Sequence, residues 1–96
     1  MITMIAQHAV KDYEAWISAG REAMNNPERN AQSGIVGSKV YRTADGNGVI
    51  VMHTFNNLES VQKYEKMMQS PDGHAMVEQI GGKLPITIWL AEEVKL

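Results

Sequence analysis

The chain is 96 residues long with a net charge of −2, which is one domain's worth of sequence with no excess of either sign. Its lysines and arginines are scattered rather than gathered into a basic stripe, which argues against nucleic acid as a partner. The absence of cysteine excludes disulfides, thiol chemistry and cysteine-held metal together.

No apolar run approaches the roughly 18 residues that a membrane span needs. The first residues also lack a basic stretch, an apolar core and a small-residue cleavage site in sequence, so they do not read as a signal peptide. The expectation is a single cytoplasmic domain, 1–96, that does not sit in a membrane. A domain this small buries only roughly 60–65 % of its unfolded surface, and association with a second copy is a common remedy.

Ile2 to Ala9 alternates like a strand, with Ile2, Met4, Ala6 and His8 on one face and Thr3, Ile5, Gln7 and Ala9 on the other. Asp12 then suits an N-cap, because its carboxylate can satisfy free N–H groups in a first helical turn. Tyr13, Trp16, Ile17, Gly20 and Met24 follow as a single helical stripe. Asn25-Asn26-Pro27 interrupts that helix and starts another, capped by Asn26, with Gly34 closing it.

Ile35 to Thr43 reads as the second strand, Ala44 to Gly48 as a hairpin loop, and Val49 to Phe55 as a third strand rich in β-branched residues. Asn56 suits the next N-cap, with Glu59 completing a capping box. Leu58, Val61, Tyr64 and Met68 share one side of that helix. Ser70-Pro71 recaps a further short helix, Gly81-Gly82 end it, and Ile86 to Val94 forms the last strand.

The order is β-α-β-β-α-β, with each helix broken in two. That order is the ferredoxin-like arrangement, an α+β fold with a four-stranded antiparallel sheet and helices on one face. Right-handed crossovers place the first and third strands side by side at the centre, and these two are expected to run parallel. The uncovered face would carry Ile5, Tyr41, Ile50, Met52 and Trp89 among polar neighbours. An apolar patch of that kind marks an interface, so these residues are the candidate dimer contacts.

HAVKDYEAW after the first strand, VYRTADGNGVIVMHTFNNLESVQKY in the middle and MMQSPDGHAMV before a Gly-rich turn resemble the dimeric α/β-barrel superfamily. Within it the chain is most similar to small proteins of the antibiotic-biosynthesis monooxygenase (ABM) group. The resemblance spans nearly the whole chain. It implies a homodimer with a pocket between sheet and helices in each subunit. It also implies oxygen chemistry on a small aromatic, quinol or polyketide-like molecule with no metal or flavin as cofactor. Haem-degrading members combine an asparagine, a tryptophan and a histidine. This chain departs from that set, since its first strand offers Gln7 and His8 but no asparagine.

His8 and His53 are the candidate catalytic residues. Both lie near strand ends on faces shared with aliphatic residues, and on parallel neighbouring strands the two imidazoles would meet at one end of the pocket. A histidine there can act as general base on an acidic phenol or quinol. Two histidines fall short of a zinc site's three or four ligands, so no metal is expected. Tyr13, Trp16, Tyr64 and Met68 are the candidate pocket walls, the aromatic rings offering a flat surface and a phenolic anchor. Each of these residues has a plainer reading as packed core. The alternative function is therefore a non-catalytic dimeric ligand-binding or interaction domain. His74 is expected to be solvated. Gly46-Asn47-Gly48 and Gly81-Gly82-Lys83 lack the following helix that a phosphate loop requires.

Overall fold

Alternating apolar residues make β1 (Ile2–Val10) a strand with one buried face: Met4, Ala6, His8 and Val10 are buried, whereas Gln7 and Ala9 are exposed. The computed structural model describes all 96 residues. After β1 come α1 (Tyr13–Met24), α2 (Pro27–Ser33), β2 (Ile35–Arg42), β3 (Gly48–Phe55), α3 (Leu58–Met68), α4 (Pro71–Gln79) and β4 (Gly82–Glu92). The strands form one antiparallel sheet in the order β2-β3-β1-β4. This is the ferredoxin-like α+β architecture expected from the element order.

The helix boundaries follow from caps. The Asp12 carboxylate accepts from the Ala15 N–H at 3.1 Å, and Asn26 Oδ1 accepts from the N–H groups of Glu28 and Arg29. Pro27 and Pro71 occupy first-turn positions, where a missing N–H costs nothing. Gly34 ends α2 with φ of 77°, a left-handed value that glycine adopts without a steric penalty. The cap of α3 lies one residue later than the sequence suggested. Asn57, not Asn56, accepts from the Ser60 N–H at 2.8 Å, while Asn56 Oδ1 accepts from the Asn57 amide.

The helices cover one face of the sheet, and two apolar clusters fill the space between. One gathers Met4, Ala6, Ile35, Phe55, Val61, Tyr64, Val77 and Ile86, and the other Val10, Trp16, Ile17, Val49 and Val51. Leu58, expected on the α3 stripe, is instead 51 % exposed at the helix start.

Strand direction corrects one expectation. β1 and β3 are central neighbours, but they run antiparallel: Met4 lies opposite His53, and His8 lies opposite Val49. The hairpin between β2 and β3 reverses the chain once more than a parallel pairing allows.

The pairing of β1 with β4 is irregular. Gln7 pairs with Thr87 and Ala9 with Lys83, so Leu84, Pro85 and Ile86 stand across from His8 alone. Such bulges relieve a strand of regular pairing and re-aim side chains. Pro85 suits this place because it has no N–H to contribute to a ladder.

Candidate active site

The even positions of β1 and the odd positions of β3 deliver His8 and His53 to the helix-covered face. Between that face and the helices lies a cavity of about 320 Å³. Its floor is Met4, Ala6, His8, Val51 and His53. Trp16, Gly20 and Met24 of α1 close one side, and Tyr64, Met67 and Met68 of α3 close another. Met76 and Val77 of α4 complete the wall, and Arg29 of α2 adds the sole formal charge. An apolar enclosure with few convergent polar groups is the usual form of a small-molecule site. A roomier hollow of about 740 Å³ lies by Ile5 and Met52 on the open sheet face, but only 4 of its 12 lining residues are hydrophobic.

The two histidines share the cavity without meeting. They stand four strand positions apart across the β1–β3 register, about 13 Å by strand rise. Each belongs to its own end.

At one end, His8 is buried and its ring meets Trp16 edge-on, with centroids 5.7 Å apart. His8 Nδ1 donates to the Ala9 carbonyl at 2.8 Å. A carbonyl oxygen can only accept, so this bond places the neutral ring's proton on Nδ1 and leaves Nε2 as the acceptor. The indole Nε1 of Trp16 is buried with no hydrogen-bond partner. Close behind, Gly82 must remain without a side chain, since a Cβ there would stand 2.5 Å from Val77 Cγ1 and 3.0 Å from His8 Cε1.

At the other end, His53 packs edge-on against Phe55 and Tyr64. Its Nδ1 lies 2.7 Å from Ser38 Oγ. Burial, with the Arg29 guanidinium adding repulsion, pushes the His53 imidazole down to about 4. His53 is therefore uncharged at neutral pH. Tyr64 accepts a hydrogen bond from Arg29, and burial raises its hydroxyl above the usual phenol value, so it stays a phenol.

Of the residues singled out in the sequence, Trp16, Tyr64 and Met68 line the cavity beside both histidines. Tyr13 does not. It stacks on the outer side of Trp16, centroids 6.5 Å apart, under the Arg42 guanidinium at 4.0 Å. His74 is partly buried in the first turn of α4. Arg29 was not foreseen. Nothing local marks it, because its partner Tyr64 lies 35 residues away.

No family model matches this sequence, and no curated protein matches it. Solved structures do. A monooxygenase from the gene ActVA-Orf6 of Streptomyces coelicolor, in complex with nanaomycin D, superposes with a TM-score of 0.68 at 9 % identity, covering 99 % of this chain and 88 % of that one. SnoaB, a cofactor-independent oxygenase from Streptomyces nogalater, gives 0.59 at 13 % identity over 99 % and 94 % of the two chains. A dimeric ferredoxin-like protein from an uncultured marine organism gives 0.67 at 8 % identity over 100 % and 97 %. The chain has their ferredoxin-like fold. At such identities the likeness speaks to the fold, and the chemistry must be argued from the cavity.

In that fold the open face of the sheet carries the remaining candidates together. Ile5 lies opposite Met52 on one side and Trp89 on the other, and Tyr41 lies opposite Ile50. Tyr41 is 51 % and Trp89 48 % exposed in the single chain. No helix of the protein is long and apolar enough to cross a membrane.

Proposed function

We propose that this protein is a cofactor-independent, monooxygenase-like enzyme that acts on a small aromatic, quinol or polyketide-like molecule. The observation that carries this reading is His8, whose Nδ1–H is committed to Ala9 and whose Nε2 is left as a base beside an apolar cavity. In this mechanism Nε2 removes a proton from an activated C–H or O–H of the substrate, giving a delocalised anion. The anion reduces dioxygen directly. For a methylene between two rings, one oxygen atom becomes the new carbonyl and the other leaves as water. The substrate supplies all the electrons. Met68, Trp16 and Val77 keep bulk water away from the anion. His53, held neutral, positions rather than deprotonates.

Anthrone tests the reading. With a chelator present, the protein is expected to speed oxygen uptake and anthraquinone formation over buffer. His8→Ala should lose that acceleration and His74→Ala keep it. No acceleration with anthrone or a naphthoquinol, or full activity in His8→Ala, would refute the enzyme. A non-catalytic ligand-binding domain is the second reading, favoured by the edge-on packing of both imidazoles on aromatic rings, an arrangement that core histidines also adopt.

The same proposal includes a homodimer formed through the open sheet face. Pairing two such faces would cover Ile5, Tyr41, Ile50, Met52 and Trp89, which otherwise leave an apolar patch in water. Light scattering at micromolar concentration is expected to give twice the 10.7 kDa chain mass, and Met52→Glu to give the single mass. A monomer for the unsubstituted chain would refute the interface.

A further inference from the structure

The helix-side cavity carries one formal charge and nothing to balance it. Arg29 lines it, and no aspartate or glutamate does. The guanidinium donates to two neutral oxygens, Asn30 Oδ1 at 3.3 Å and the Tyr64 hydroxyl. It also lies over the Tyr64 ring, 5.7 Å from the centroid. Arginine offers five N–H donors in a planar fork, so most of its capacity is unspent. Arg29 is half-buried, so its guanidinium has lost part of its hydration beside an apolar space, and an anion would restore what is lost.

We propose that the ligand of this cavity is an organic acid: a flat apolar body bearing one carboxylate, which pairs with Arg29. The inference rests on the cavity being the ligand site, as in the proposed function. Tyr64 adds to the same anchor. Its oxygen accepts from Arg29, so its own proton is free to donate to the carboxylate. The anchor belongs to the His53 end, because Tyr64 packs on His53 with centroids 5.6 Å apart. The apolar body would then run over Val51 towards His8, a span of about 13 Å between the two polar ends. Arg29 is thus a binding residue that sets specificity, and His8 meets the far end of the ligand.

Calorimetric titration with 2-naphthoate and its uncharged analogue 2-naphthamide tests this. The native protein is expected to bind the naphthoate at least about tenfold more tightly, the usual worth of a charge-assisted hydrogen bond. Arg29→Met should erase that preference by weakening naphthoate far more than naphthamide, and Arg29→Lys should restore part of it. Equal binding of the two probes to the native protein would overturn the anion pairing alone. So would a preference that survives in Arg29→Met. Failure of both probes to bind at millimolar concentration would overturn the cavity as a ligand site, and the proposed function with it.

Discussion

Acidification from pH 6.5 to 4 is expected to cost this protein about 3 kcal/mol of stability through His53 alone. His53 titrates near 6.5 in the unfolded chain and near 4 in the folded one. Its folded value is depressed, so the unfolded state binds more protons between those values. The contribution is complete above 6.5 and is lost as pH falls through the folded value. Burial dominates this shift, and Arg29 adds to it. Both causes act on a ring that is 4 % exposed, so solvent screening relieves little of it. Urea midpoints measured across this range should fall more steeply for the native chain than for His53→Gln, which keeps a polar partner for Ser38. Parallel curves for the two proteins would refute the assignment. The carboxylates titrate in both proteins, and their effect cancels in the comparison.

Gly73→Ala is expected to destabilise the protein by about 3 kcal/mol or more, although alanine is the better helix former by about 1 kcal/mol. A Cβ at this position would stand 2.3 Å from the Met67 carbonyl oxygen and 2.8 Å from the Met68 Cα. These are backbone atoms and cannot rotate aside. The Met67 carbonyl also accepts from the Ser70 N–H, and Ser70 Oγ accepts from the Gly73 N–H, so the corner between α3 and α4 is tied from both sides. Relieving the clash means opening this corner, which moves Met67, Met68, Met76 and Val77 of the cavity wall together. Urea unfolding and 2-naphthoate titration should both register the change. An alanine variant as stable as the native chain would show that the corner is built differently.

Much of this architecture was legible in the sequence because it is encoded locally. Asp12, Asn26-Pro27, Gly34 and Ser70-Pro71 act within one turn of where they stand, and each does what its chemistry suggests. The alternation in β1 and β3 put His8 and His53 on the correct face. What was misjudged has three sources: a choice between near-equals, an element order not followed through, and distant parts of the chain. Asn56 and Asn57 are adjacent and chemically alike, and the geometry of entry into α3 decides between them. Strand direction follows from the number of chain reversals between β1 and β3, and the hairpin read between the second and third strands already implied an antiparallel pair, which the parallel expectation overlooked. It was therefore the meeting of the two imidazoles that failed, not their burial. Arg29 reads as an ordinary helix-surface cation until α2 is folded against Tyr64.

The sheet order has a consequence for how the chain comes off the ribosome. β1 is made before both of the strands it pairs with, yet it lies inside the sheet, between β3 and β4. Its second neighbour is β4, which follows every other element described, at residues 82–92. Until that segment emerges, one edge of β1 carries unpaired N–H and C=O groups beside Ile5 and Met4, an invitation to the wrong strand. Closure of the sheet therefore waits until β4 has emerged, and that strand acts as a latch over β1.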